Sequence, residues 1–317
     1  HGMGGMMTAE ELASLKSATG KEFDRQFLTS MIAHHEGALH MVMMIKDSED
    51  SNLRTLYQNI VKTQTEEIEW MKMTSEELNA RAAAGALVII PVASLEQHGP
   101  ALATGVDIIC ATGVAHRVAR RMVEAGEQVV VTPCVWTGLA EHHVPFGGTV
   151  TLDYAAFGGV LRGIVRSAAR AGFKRAMLLN GHGGNAEAVA VAAVDAQAES
   201  GIPVAAATYW HMAGDAFAPI LERQSNVLHA CEAEASMVMA LLPEAVRPAR
   251  LSEQHGPHST RVEGQPPALA RRRSFKELSA NGVIGDARSA TAAKGEALLD
   301  AAAERIARDL ANPKLWG

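Results

Sequence analysis

From Leu87 to the end of the chain, apolar segments of strand length alternate with longer segments of helical periodicity. The predicted strands are 87–93, 128–134, 174–180 and 202–209, and the predicted helices are 107–125, 153–172, 186–200, 231–242 and 289–311. Strands that alternate with helices form a mainly parallel sheet covered by helices on both faces. This part of the chain is therefore predicted to be an α/β protein, a three-layer α/β/α sandwich.

Potential metal ligands follow two of the predicted strands. The apolar run that ends at Val92 is followed by Glu96, His98 and Asp107, and the strand 174–180 leads into His182. In open α/β sheets ligands bind beyond the carboxyl ends of the strands, and carboxylates and imidazoles are common ligands of divalent cations. Taken alone, the first stretch is equally compatible with a polar turn whose Glu and His are merely solvated.

Four motifs, in this order, resemble those of the creatininase family: VIIPVASLEQHGPALATGVD at 88–107, GLAEHHVPFGGT at 138–149, KRAMLLNGHGGN at 174–185 and HACEAEAS at 229–236. The resemblance spans about residues 74–317. The family contains creatinine amidohydrolases, formamide hydrolases and the peptidase of mycofactocin maturation. It implies two divalent ions (Zn, Mn or Fe) and a bridging hydroxide that cleaves a carbon–nitrogen bond of a cyclic or small amide. A mycofactocin-type peptidase is the alternative enzyme.

The resemblance also implies a ligand set, which is Glu96, His98, Asp107, His182 and Glu232. Asp107 is the expected bridge between the two ions. Creatininase takes one further ligand, a Glu, from the position that Gly184 occupies here. Relatives with the NGHGGN motif take that carboxylate from a later HAGE motif, which is HACE in this chain and points to Glu232. Alternatively, Glu232 is an acid that the helix dipole favours at a helix start, and Glu234 is a buried acid with a structural role.

Other residues of the matching motifs are candidates for catalysis and for the substrate pocket. His229 matches the family's proton-transferring His, although Leu228 stands where creatininase has a Glu. An imidazole suits this role because its ordinary pKa lies near neutrality. The catalytic candidates are His229, Glu141 and His142, and the pocket candidates are His143, Trp210 and Asn180.

Residues 1–73 have a different composition, since nine of the fourteen methionines lie there. Helices predicted at 9–19, 22–46 and 53–72 indicate an all-α helical hairpin or bundle. Met31 precedes His35 by four residues and His40 precedes Met44 by four, so each pair shares a helix face. Thioether and imidazole suit copper, although methionines at this spacing also serve as core filler. The copper candidates are His34, His35, His40, Met31, Met41 and Met44.

Residues 1–72 resemble a small ferritin-like, His/Met-rich domain of exported bacterial proteins that is often linked to copper. A copper-binding or chaperone-like protein is therefore the alternative of another class. The second domain, 74–317, is predicted to begin with a helix that has Thr74 as its N-cap, Glu77 as its capping-box partner and Gly85 as its stop. A natural fusion and an engineered chimera both remain open. The hydrolase domain is expected in the cytoplasm, whereas the first module resembles exported proteins.

Composition argues against nucleic acid and membrane as partners, and the resemblance implies a small-molecule amide as the substrate. A net charge of -6 and a pI near 6.1 offer no basic face to nucleic acid, and no run approaches the roughly eighteen apolar residues of a membrane span. The three cysteines are widely spaced and are predicted to be reduced. Creatininase-like domains form hexamers, so the resemblance implies a homo-oligomer. A second EQHGP, at 253–257, follows no buried strand and is predicted to be a coincidence.

Overall fold

The computed structural model describes residues 9–19, 26, 68–261, 264–266, 269 and 271–317. Contacts divide the chain into two units, 1–67 and 68–317. In the first unit, the described residues contain the helix α1 (Ala9–Ser17), where the sequence predicts a helix over 9–19. The predicted helix 22–46 and most of the predicted helix 53–72 lie outside the described residues.

The second unit is built on a parallel sheet with the strand order β2-β1-β3-β4. The strands are β1 (Leu87–Val92), β2 (Val129–Val131), β3 (Arg175–Asn180) and β4 (Val204–Thr208). Val92 is in register with Asn180, and Asn180 is in register with Thr208. The carboxyl ends of β1, β3 and β4 therefore lie at one edge, which confirms the predicted parallel sheet.

Helices cover both faces of the sheet. They are α2 (Ser75–Ala83), α3 (Val106–Glu124), α4 (Tyr154–Arg170), α5 (Ala186–Ser200), α6 (Tyr209–Phe217), α7 (Glu232–Leu241), α8 (Phe275–Leu278) and α9 (Ala292–Leu310). Leu87 and Ile89 pack with α3, α6, α7 and α9, whereas Val88 and Ile90 pack with α2, α4 and α5. Successive side chains of a strand point to opposite faces, so β1 contributes to both cores. The three-layer α/β/α architecture is confirmed.

Local sequence signals set the ends of several helices. The Glu77 amide donates to Thr74 Oγ1 at 3.3 Å, and the Thr74 amide donates to Glu77 Oε2 at 2.7 Å. This is the predicted capping box of α2, and Gly85 follows it with a φ of 79°. Helix α6 was not predicted, because its aromatic start at Tyr209 favoured an extension of the preceding strand.

Residues 68–73 differ from their prediction as the end of a helix in the first module. The Val131 amide donates to the Ile68 carbonyl at 2.8 Å, and Glu69 pairs with Val131 as a parallel bridge. Trp70–Lys72 then forms one turn of 3-10 helix. These residues thus extend the edge of the sheet. Within the described part of the chain, no helix is both long enough and apolar enough to cross a bilayer.

Candidate metal centre

Three buried side chains meet at the carboxyl edge of the sheet. Glu96 lies in the loop after β1, Asp107 lies in the first turn of α3, and His182 follows β3. His182 Nδ1 lies 3.1 Å from Glu96 Oε2 and 3.0 Å from Asp107 Oδ2. One ligand atom of each residue lies within 4.8 Å of the others. This first group combines two carboxylates and one imidazole.

A second group shares Asp107 with the first. His98 Nε2 lies 3.1 Å from Asp107 Oδ1 and 4.0 Å from Glu234 Oε1. Ligand atoms of His98, Asp107 and Glu234 again lie within 4.8 Å of one another. Because Oδ2 of Asp107 faces the first group and Oδ1 faces the second, this carboxylate is placed to bridge two cations.

Several ligand atoms of the two groups have no hydrogen-bond partner. They are Glu96 Oε1 and Oε2, Asp107 Oδ2 and His98 Nε2, and all of them are buried. A buried polar atom left without a partner costs free energy, and each case needs an explanation. Cations held between these atoms would remove that cost. The donor set of carboxylate oxygens and imidazole nitrogens fits Zn, Mn or Fe.

Backbone carbonyls fix which nitrogen of each ligand imidazole faces the cluster. His98 Nδ1 lies 3.1 Å from the carbonyl oxygen of Glu96, and His182 Nε2 lies 3.2 Å from that of Leu139. A neutral imidazole that donates through one nitrogen keeps a lone pair on the other. In the neutral form that binds a metal, the lone pairs of His98 Nε2 and His182 Nδ1 would therefore point at the carboxylates.

The metal-free cluster holds protons that a cation would displace. Burial lowers the pKa of His98, but Asp107 outweighs this effect and raises the pKa to about 9. Burial also lowers the pKa of His182, but Glu96 and Asp107 outweigh this effect and raise the pKa to about 10. Burial raises the pKa of Glu234 to about 7. Shifted pKa values of this kind cluster at functional sites.

Two further histidines lie against Glu96. The His229 ring nitrogen Nε2 donates to the carbonyl oxygen of Gln97 at 2.9 Å, and His229 Nδ1 lies 3.5 Å from Glu96 Oε1. His143 Nε2 lies 3.1 Å from the same oxygen, while His143 Nδ1 accepts from Gln97 Nε2 at 2.9 Å. Burial lowers the pKa of both histidines, which keeps them neutral.

Gln254 is a residue of this site that the sequence did not reveal. Its side chain is fully buried, and its Nε2 donates to the carbonyl oxygens of His98 at 2.8 Å and Ala230 at 3.0 Å. Its Oε1 accepts from the Ala101 amide at 2.8 Å. Gln254 thereby joins the His98 loop to the segment before α7, where Ala230 has a φ of 56°. The second EQHGP was the only signal, and the prediction that it is a coincidence is wrong for Gln254.

Glu232 was predicted as a ligand, and the structure places it elsewhere. It accepts from Lys294 Nζ at 2.5 Å and from the Arg223 amide at 2.8 Å. Residues two apart on a helix point about 200° away from each other, so Glu232 and Glu234 face opposite sides of α7. The assignment of Glu232 is therefore corrected to Glu234. Gly184 has no side chain and therefore supplies no carboxylate. A Cβ at this position would also overlap His182 Nε2.

Two other predicted residues also lie outside the cavity that holds the cluster. Glu141 is exposed at the start of a 3-10 turn and lines a separate groove. Asn180 is buried, and its Nδ2 donates to the His182 carbonyl oxygen at 2.7 Å and to Thr208 Oγ1 at 2.9 Å. Asn180 thus positions the turn that carries His182 instead of lining the pocket. The copper candidates His34, His35, His40, Met31, Met41 and Met44 lie outside the described residues.

The cluster lines a cavity of about 440 Å³. His142, His143 and Trp210, all predicted from sequence, contribute to its wall. Phe275 of α8 packs against the two inner histidines, with ring centroids 4.2 Å from His143 and 5.0 Å from His229. The cavity therefore joins a polar floor to an apolar and aromatic wall, which is typical of small-molecule sites.

Residues 71–310 match the creatininase family, described as creatinine amidohydrolase. Residues 1–75 match a domain of unknown function, DUF305. A creatinine amidohydrolase of Pseudomonas putida is 31% identical over 255 residues, which cover 74% of this chain and 93% of that protein. A mycofactocin precursor peptide peptidase of Mycobacterium ulcerans (strain Agy99) is 32% identical over 229 residues, covering 70% of this chain and 84% of the peptidase.

Solved structures of creatininase share the fold. One described as the Mn form aligns with a TM-score of 0.63 and 28% identity, covering 77% of this chain and 97% of that chain. A mutant described as Zn-Zn type aligns with a TM-score of 0.64 and 28% identity, covering 77% of this chain and 96% of the other. Relatives of this chain thus hold divalent metal, in agreement with the ligand cluster described above.

Proposed function

Since the chain belongs to the creatininase family, we propose that its second unit is a hydrolase that uses two divalent ions to cleave a carbon–nitrogen bond of a cyclic or small amide. The observation that carries this proposal is the pair of buried ligand groups that share Asp107. Glu96, Asp107 and His182 would hold one ion, and His98, Asp107 and Glu234 the other. Such ions, when bound, lower the pKa of water and polarise the carbonyl under attack.

His229 is the proposed proton carrier. Its Nε2 is engaged by the carbonyl oxygen of Gln97, so Nδ1 is the atom left to exchange a proton. Burial lowers the pKa of His229, so the ring is neutral and Nδ1 has a lone pair for the proton of the attacking water. The same nitrogen then delivers the proton to the departing amine nitrogen. His143 holds the carboxylate of Glu96 in place and is itself held by Gln97, and Phe275 covers the two inner rings.

A substrate screen tests this function. The full chain, reconstituted with Zn or Mn, would be incubated with creatinine, lactams, formamides and peptides, with metal content measured in parallel. Hydrolysis of one class, lost in the His229→Asn variant while the metal content is unchanged, is the expected result. A protein that holds two ions and hydrolyses none of these compounds would contradict the amide assignment.

Peptide hydrolysis is the second candidate. Two observations favour it: the 32% identity to mycofactocin precursor peptide peptidases and a cavity of about 440 Å³, large enough for more than one small ring. The peptides of the same screen distinguish it from the first candidate.

Copper binding by the first unit remains a separate proposal. It is supported by the His/Met spacing within residues 1–75, which match DUF305, a domain of unknown function. Cu(I) titration of the full chain, beside a variant with His34, His35 and His40 changed to Ala, tests it. Equal copper content in the two proteins would contradict it.

A further inference from the structure

Four arginines line the same cavity as the metal ligands. They are Arg261, Arg271, Arg272 and Arg273, and they share the cavity with Glu96, Asp107 and Glu234. None of the four has a part in the hydrolytic chemistry described above. We refer to Arg261 and Arg271–Arg273 as the arginine rim.

In the described part of the chain, the acids that pair with the arginine rim are exposed. Arg272 Nη2 lies 3.4 Å from Glu187 Oε2, and Arg273 Nε lies 3.5 Å from Glu277 Oε2. Both acids are largely exposed, and exposed pairs of this kind are weak. Among the residues that the structure describes, no acid forms an ion pair with Arg261 or Arg271.

The carboxylates of the metal ligands do not cancel the positive charge of the arginine rim once two divalent cations are bound. The three carboxylates, Glu96, Asp107 and Glu234, would be offset by two divalent cations. Apolar side chains line the same cavity, and they are Trp210, Val227, Leu228, Leu269 and Ile284. A group bound at the rim therefore experiences a net positive field beside an apolar wall.

We propose that the substrate carries a carboxylate in addition to the bond that is cleaved, and that Arg261 and Arg271 of the arginine rim bind it. The proposal rests on the proposed function, because it takes the metal centre as the site of cleavage. Guanidinium groups bind carboxylates through paired, charge-assisted hydrogen bonds, which gives both affinity and orientation. The apolar wall would contact the part of the substrate that joins the carboxylate to that bond.

Matched carboxylic acids test the proposal without any need for turnover. The zinc-loaded full chain would be titrated by calorimetry with dicarboxylates from succinate to suberate and with monocarboxylates of equal chain length. Both series offer one carboxylate to the metal, and only the first offers a second to the rim. Arg261→Gln and Arg271→Gln are the test variants. Arg308→Gln, on the exposed side of α9 and outside the cavity, is the matched control.

At the best chain length, the dicarboxylate is expected to bind about tenfold more tightly than its monocarboxylate partner. Each test variant should lower this ratio about threefold or more, and raised salt should lower it further, while Arg308→Gln leaves it unchanged. A ratio near one at every length, or a ratio unaffected in both test variants, would overturn the proposal. If the ratio behaves as expected but no amide is hydrolysed, the anion site stands and the hydrolase assignment fails.

Discussion

At the scale of single residues, position on a helix decides which acid can serve the metal centre. Glu232 and Glu234 both lie in the first turn of α7, and both are buried. The sequence places two acids near a predicted helix start but does not give the rotation of that helix about its axis. Only the packed structure shows that Glu234 faces His98 and Glu232 faces Lys294. Residues fixed by a strand end, such as Glu96 and His98, were predictable because the loop follows the strand directly.

Paired variants test this distinction. Glu234→Gln is expected to weaken binding of one of the two ions by about 100-fold or more, since it removes a ligand. Glu232→Gln should keep both ions but lower the free energy of unfolding by about 2 kcal/mol, because it breaks a partly buried ion pair with Lys294. Metal analysis after dialysis and chemical denaturation measure the two effects. Loss of metal in Glu232→Gln, with Glu234→Gln unaffected, would restore the original assignment.

Gln254 offers a second test at this scale. In Gln254→Glu the carboxylate cannot donate to the carbonyl oxygens of His98 and Ala230, so the loop that carries His98 loses its anchor. Metal affinity is expected to fall about 10- to 100-fold. The exposed neighbour Glu253, in the variant Glu253→Gln, is the control. Competition with a chelator measures the affinity, and equal values for Gln254→Glu and the control would refute the anchoring role.

At the scale of elements, the turn after β3 brings the backbone of Gly184 close to His182 and Leu139. A Cβ at position 184 would overlap His182 Nε2 and the Leu139 carbonyl oxygen, whereas the nearest atom to a Cβ at position 183 is 3.9 Å away in Trp210. Gly184→Ala is therefore expected to displace His182 and reduce kcat/KM on the order of 100-fold. Gly183→Ala should remain within a few-fold of the parent. Steady-state kinetics on the substrate found by the screen separate the two variants.

The elements also show where prediction from sequence ends. Strands β1 and β3 were predictable as unbroken apolar runs of strand length, and helices α3 and α4 from an apolar pattern with the helical period. Helix α6 was missed since Tyr209 and Trp210 favour strands, and burial of α6 against the core overrides that preference. The segment 68–72 was missed because its pairing with β2 depends on a distant part of the chain.

At the scale of the whole molecule, the metal centre links stability to pH. In the metal-free protein the pKa of His98 is about 9 and that of His182 about 10, above their ordinary value of 6.5. Groups with a raised pKa stabilise the fold fully below their unfolded pKa and lose that effect as the pH rises through the folded value. The metal-free protein should therefore lose stability between about pH 6.5 and 10.

A bound cation takes the place of those protons, so the metal-loaded protein should lack this loss. Thermal unfolding of the second unit, recorded across that pH range with chelator and with Zn, measures the difference. If the stability of the two forms changed with pH in the same way, the protons and the cations would not share the site.

The most direct measurement is the metal content of the full chain and of its Asp107→Asn variant, determined by elemental analysis after reconstitution and dialysis. Two Zn or Mn ions per chain in the parent are expected, with both weakened in the variant, because Asp107 belongs to both ligand groups. One ion per chain, or two ions retained in Asp107→Asn, would contradict a centre bridged by this carboxylate.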